Sequence, residues 1–297
     1  MNILFRADSS STIGIGHIMR DLVLAKQYKD SNIIFATQKL DGNINSKIIE
    51  AGYKVEILNS NSIDEVQKLI DSYSIDMIII DHYGIDYRYE KKIKSNNQNL
   101  KILSFDDTYN KHYCDILLNH NISADKHRYK GLVPTWCEIR CGGNYTLIRD
   151  EFIEEKKIKR EKIYNIFIAM GGADSANLNI KILEILPKDL KIVTVTTLAN
   201  KNLDKLKEFV KDRENIRLEI NSNKISKLIN QSKFAIITPS VTVYEVIFME
   251  VPFIAIMTAD NQIDIYNYLL KNGYTALKQF NSKELKKAIE DFNGRAY

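Results

Sequence analysis

Short apolar runs alternate with amphipathic segments along most of the 297 residues. In the first half the apolar runs 2–6, 32–37, 54–58, 77–81, 101–105 and 116–118 read as strands. Helical patterns lie between them. The segment 17–28 places Ile18, Leu22 and Ala25 on one face, and 63–72 and 89–94 read similarly. A strand–helix alternation predicts a parallel sheet with helices on both faces. The run 76–81 lacks a two-residue period, which suits a strand buried on both sides.

The pattern then begins again. Residues 151–162 are highly charged and suit a solvated connector or surface helix. Strands are expected at 164–170, 191–197, 216–220, 234–238 and 253–257. Helices are expected at 175–186, 202–211, 223–231, 241–249 and 263–273. The fold class is therefore α/β, with two Rossmann-like, doubly wound domains: 1–149, a linker over 150–163, and 164–297. Ligands of open α/β sheets sit beyond the carboxyl ends of the strands, so the two domains are expected to face one cleft.

Composition narrows the classes. The chain is 44% apolar and 27% charged, with 42 Lys and Arg against 38 Asp and Glu. A net charge of +4 argues against nucleic acid or an anionic membrane as partner and leaves an anionic small molecule open. Four Pro and 12 Gly, without low-complexity tracts, exclude collagen-like and disordered classes. Cys114, Cys137 and Cys141 form no Cys-x-x-Cys pair and read as reduced structural thiols, so no metal is expected. The N-terminus enters a strand without an apolar leader, and no run reaches the ~18 apolar residues of a membrane span. A cytoplasmic protein is expected.

Three segments carry candidate chemistry. In 9–20, Gly14 and Gly16 follow the first strand, flank Ile15, and precede His17 at the start of the first helix. Glycines there permit a tight turn and close approach of a ligand. A helix N-terminus disfavours imidazolium, so His17 is a candidate general base; a capping or structural histidine is the plainer alternative. The third glycine of a dinucleotide fingerprint is missing, and no acidic residue follows the second strand. In 170–174, Gly171, Gly172 and Ala173 follow the first strand of the second half and suit a phosphate or sugar loop, or a simple turn. In 238–245, Ser240 reads as an N-cap preceding Val241, and Glu245 lies just over one turn in. A carboxylate there accepts from a ribose diol, or is an ordinary helix N-terminal Glu. Asp81 and Tyr83, Asp106 and Asp107, Asn119 to Asn121, and Asn261 also fall at strand carboxyl ends.

The motifs Phe-Arg-x-Asp (5–8), Gly-Ile-Gly-His-Ile-x-Arg-Asp (14–21), Ile-Ile-Asp-His-Tyr-Gly (79–84), Leu-Ser-Phe-Asp-Asp (103–107) and Cys-Asp-Ile-Leu-Leu-Asn (114–119) occur in order. Gly-Leu-Val-Pro (131–134), Tyr-Thr-Leu-Ile-Arg-Asp-Glu-Phe (145–152) and Met-Gly-Gly-Ala-Asp (170–174) follow. Together they resemble the UDP-2,4-diacetamido-2,4,6-trideoxy-β-L-altropyranose hydrolases of pseudaminic acid biosynthesis, over the chain to about residue 274. Thr146 stands where that family usually has Ala. The resemblance implies a GT-B-like fold, with the reacting sugar served by the N-terminal domain and UDP by the C-terminal one. It implies His17 as catalytic base. It places substrate at Gly14, Ile15, Gly16, Asp81, Tyr83, Asp106 and Arg149, and nucleotide at Gly171, Gly172, Ala173, Ser240, Val241, Glu245 and Asn261. It further implies inverting C–O cleavage of a UDP-sugar by a monomer without cofactor or metal, in a pathway to flagellin glycosylation. A transferase on the same fold and a non-catalytic nucleotide-sugar binder are the rival readings.

Overall fold

The computed structural model describes residues 1–293; the last four positions of the expected second domain lie outside them. The chain divides into two compact units, the first Met1–Leu147 and the second beginning at Ile148.

The first unit is built on seven strands: β1 (Asn2–Ala7), β2 (Asn32–Gln38), β3 (Lys54–Leu58), β4 (Met77–Asp81), β5 (Lys101–Phe105), β6 (Ile116–Asn119) and β7 (Glu138–Cys141). All pair in parallel, in the order β3-β2-β1-β4-β5-β6-β7. Parallel strands need crossovers, and the intervening helices cover both faces. Every residue of β4 is accordingly buried. Ile78 and Ile80 pack with Val66, Ile70 and Ile93 on one face, and Met77 and Ile79 with Ile18, Leu24 and Phe35 on the other. Each such side chain withdrawn from water contributes roughly 1.5–3 kcal/mol. The strand order reverses between β1 and β4, and such a switch point opens a crevice at the carboxyl ends of those strands.

The second unit repeats the plan with β8 (Tyr164–Ala169), β9 (Ile192–Thr196), β10 (Ile216–Ile220), β11 (Ser232–Ile237), β12 (Phe253–Ile256) and β13 (Thr275–Leu277). Their order is β10-β9-β8-β11-β12-β13, again parallel, with the switch point between β8 and β11.

Several local features differ from the sequence reading. Strands β7 and β13 were not expected: β7 has no fully buried residue, and β13 is three residues long. The helix after Gly172 begins at Leu178 rather than near 175. Asp174 and Asn177 take φ of +38° and +51°, and the Asp174 carboxylate accepts from the amides of Leu178 and Asn179. Asp and Asn tolerate that left-handed backbone better than other side chains. Within the expected linker, helix Asp150–Lys156 packs against helix Ile225–Asn230 and buries Phe152. Asn230 Nδ2 reaches Glu155 Oε1 at 2.9 Å, which ties the segment to the second unit. The three cysteines are free thiols, with Cys114 and Cys137 Sγ atoms 3.7 Å apart.

Candidate active site

The first crevice is shaped by the turn that follows β1. Ser10 and Gly14 exchange backbone hydrogen bonds of 3.2 and 2.8 Å, and Ser10 Oγ accepts from the amides of Thr12 and Ile13. Gly14 closes the turn at φ +85°, a conformation that side chains rarely adopt. Gly16 meets nothing within 4 Å of where a Cβ would stand, so its space is open. Ile15 is half exposed between them. His17 is then the second residue of helix Gly16–Ala25, and it is 7% exposed.

Asp81, the last residue of β4, meets it there. His17 Nδ1 lies 2.6 Å from Asp81 Oδ1. A carboxylate at that distance accepts a proton-bearing Nδ1, and in the neutral ring the lone pair then stands on Nε2. Arg20 donates from Nη2 and Nε to the two oxygens of Asp81, both at 2.5 Å, and its Nη1 reaches Asp107 Oδ2 at 3.3 Å. Tyr83 packs edge-on to the His17 ring, centroids 4.8 Å apart, and its hydroxyl donates to Asp107 at 3.0 Å. Burial works against the Asp81 charge, but the hydrogen bonds and charge of Arg20, with His17, outweigh it and hold the carboxyl below its usual range. Asp21 goes the other way. It is fully buried, and its carboxylate has no hydrogen-bond partner among the described residues. Burial and the nearby Asp81 push its carboxyl well up, with Arg20 opposing.

Asp106 does not join this cluster. Its oxygens accept from Thr108 Oγ1 (2.7 Å), Tyr129 Oη (2.8 Å) and the amide of Asn110 (3.2 Å), and His112 lies beside it. His112 in turn binds the buried Glu90 at 2.8 Å. Asp81, Tyr83, Phe105 and Asp106 nevertheless line one cavity of about 600 Å³; Gly14, Ile15, Gly16 and His17 do not line it, and His17 meets it only through its contact with Asp81.

Sequence reasoning left out Arg20 and Asp107 as site residues. Arg20 stands three residues after His17, the spacing that puts two side chains on one helix face. Asp107 ends the same Leu-Ser-Phe-Asp-Asp motif as Asp106. His120, at the end of β6, packs against Phe105; burial, reinforced by Arg20, lowers it to about 4.

In the second unit, Gly171, Gly172, Thr197, Asn221, Arg149 and Glu245 line a cavity of about 200 Å³. Gly171 holds φ +79°, while a Cβ at Gly172 would stand 3.0 Å from the Thr197 side chain, which would have to give way. The hydroxyls of Thr196 and Thr197 donate to the Gly172 carbonyl at 3.2 and 3.0 Å, fastening the glycine loop to β9. Glu245 is 5% exposed, and its Oε1 accepts from Arg149 Nη2 (2.6 Å) and Nε (3.0 Å). Burial raises its carboxyl, with Arg149 opposing. Ser240 occupies the N-cap position of helix Val241–Phe248, but its side chain does not cap it. The hydroxyl pairs instead with Thr238 Oγ1 at 3.2 Å. Ser240 thus leaves that helix N-terminus without its side-chain cap, and Val241 is 55% exposed there. Ala173, Ser240, Val241 and Asn261 do not line this cavity; Asn261 is exposed on the turn Asp260–Gln262 after β12.

No protein-family model matches the chain. A UDP-2,4-diacetamido-2,4,6-trideoxy-β-L-altropyranose hydrolase of Campylobacter jejuni subsp. jejuni is 48% identical over 274 residues, which cover 92% of this chain and 98% of that protein. The chain belongs to that hydrolase family. Its fold is GT-B-like. The crystal structure of Acinetobacter baumannii MurG aligns with a TM-score of 0.63 at 12% identity, over 98% of this chain and 90% of that one. Anabaena Alr3699/HepE, solved in complex with UDP, aligns at 0.62 and 13% identity, over 98% and 89%. Among the described residues, no helix of this family member is long and apolar enough to cross a membrane.

Proposed function

We propose that the chain hydrolyses a UDP-linked 2,4-diacetamido-2,4,6-trideoxy sugar by attack of water at the anomeric carbon, with inversion and C–O cleavage, and that His17 is the general base. The observation that carries the mechanism is the 2.6 Å contact between His17 Nδ1 and Asp81. It orients the imidazole and leaves Nε2 free to take a proton from water, a contribution of typically ~10²–10⁴-fold. The substrate class rests on the 48% identical hydrolase.

The diphosphate is already a good leaving group, so the demands on the protein are to place water and to receive negative charge. The cavity with Tyr83 and Asp81 on its wall accommodates the sugar, and His17 is reached through Asp81. In the second unit, the cavity under Gly171 and Gly172 takes the uridine end, and Glu245 accepts from the ribose diol. The uncapped N-terminus of helix Val241–Phe248 faces the diphosphate charge, with Asn261 contributing from the neighbouring turn. No metal enters this scheme. Each half-site is made by one unit of a single chain, which supports action as a monomer.

The test is turnover in oxygen-18 water with no acceptor added, followed by NMR of the anomeric proton. Label in the free sugar, with the first-formed anomer opposite to the substrate, is the expected result. Label in UDP overturns C–O cleavage. Bound substrate with no release of UDP moves the reading to a transferase that lacks its acceptor.

A further inference from the structure

A buried ion pair lies behind the His17–Asp81 cluster. Arg6 and Asp8, at the carboxyl end of β1, are 0% and 1% exposed and pair through two hydrogen bonds of 2.8 Å. Asp8 Oδ1 also accepts from the Gln38 amide at 2.7 Å, and Oδ2 faces His82 Nε2 at 3.1 Å. Burial raises the Asp8 carboxyl, and the hydrogen bonds from His82 and Arg6 override it, so the group stays ionised. The other ring nitrogen of His82 faces donors. The Gly84 amide points at Nδ1 from 2.9 Å and Asn61 Nδ2 from 3.3 Å. Asn61 is oriented by its Oδ1, which accepts from Arg6 Nε at 3.2 Å. Two N–H donors on Nδ1 leave the ring proton on Nε2, directed at Asp8. The turn 82–84 is thus tied to β1 at one end and folded onto the His82 ring at the other. A Cβ at Gly84 would stand 2.8 Å from His82 Cε1, so the glycine belongs to the same device. At the tip of this turn sits Tyr83, against His17 and Asp107.

We propose that His82 is a positioning residue for the hydrolysis: held by Asp8 through Nε2 and by Gly84 through Nδ1, it fixes the turn that sets Tyr83 against His17. The inference rests on the reading of His17 as base. It also accounts for Phe-Arg-x-Asp and Asp-His-Tyr-Gly appearing together, since Arg6, Asp8, His82 and Gly84 form one connected network.

Two substitutions separate positioning from structural support. His82→Gln keeps an N–H donor for Asp8 and loses the acceptor for Gly84. His82→Asn keeps the acceptor and leaves Asp8 short of a donor. The full chain is assayed for kcat, KM, UDP inhibition and melting temperature. The Gln variant is expected to melt near wild type with kcat down roughly 10- to 100-fold and UDP inhibition unchanged. The Asn variant is expected to melt lower and retain more kcat. Adding His82→Gln to Tyr83→Ala is expected to cost less than about twofold further, because the positioned ring is already gone. The proposal is overturned if kcat losses simply follow melting temperature, or if His82→Gln costs the same factor with and without Tyr83. Failure of the His17 reading would show separately, as turnover surviving in His17→Asn.

Discussion

Asp81 accepts from Nδ1 of His17 at 2.6 Å and from the guanidinium of Arg20 at 2.5 Å. One carboxylate thus serves both the imidazole and a guanidinium, and the charge of Arg20 helps keep it ionised. Asp81→Asn turns one of its two acceptor oxygens into an NH2 donor, so the side chain no longer specifies the Nδ1–H tautomer. The variant is expected to lose at least about 10²-fold in kcat with unchanged inhibition by UDP. Steady-state kinetics with UDP as competitive inhibitor provide the check.

His17→Asn should abolish measurable turnover and leave UDP affinity within about twofold, because additivity holds for groups without shared partners. Calorimetric titration with UDP tests this. A large loss of UDP binding would remove His17 from the role of base.

Glu245→Ala has the reverse expectation. It deletes the proposed ribose acceptor and leaves Arg149 with Glu151 as its remaining carboxylate partner. A charged hydrogen bond of this kind contributes about 1.5–3 kcal/mol, so the inhibition constant for UDP should rise roughly 10- to 100-fold. An unchanged constant would mean that the ribose is held elsewhere.

His112 supplies a pH dependence of stability. Burial lowers it, yet Asp106 and Glu90 outweigh that and raise it from its ordinary 6.5 to about 9. A raised folded-state value means that its contribution is complete below pH 6.5 and disappears as pH climbs through 9. That contribution is up to about 3 kcal/mol. The melting temperature of wild type should therefore fall across this window. His112→Gln should melt lower throughout and decline less steeply, as differential scanning calorimetry from pH 6 to 9.5 would show.

The strands and the two crevices were legible because they depend on local pattern. An unbroken apolar run such as the one ending at Asp81 marks a doubly covered strand, and its last residue falls at the ligand end. Glycines before His17 mark the helix start. What escaped was set by distant partners. Nothing near Asp106 in sequence says that Tyr129 and His112 will occupy it while the adjacent Asp107 turns to Arg20 and Tyr83. Ser240 has the right identity for a cap, and its hydroxyl is taken by Thr238, two residues before it. Strands β7 and β13 carry too few buried positions to stand out from loop.

The repeated strand order has a further consequence. His17 follows the first strand of one sheet and Asp81 ends the fourth; Gly171 follows the first strand of the other and Glu245 the fourth. The residues proposed to activate water and those proposed to hold the nucleotide therefore follow corresponding strands of two separate sheets, with no strand in common. Loops after β8 and β11 can change which nucleobase or ribose is accepted without touching the loops after β1 and β4. Nucleotide preference and hydrolytic chemistry are thus free to drift independently in descendants of this chain.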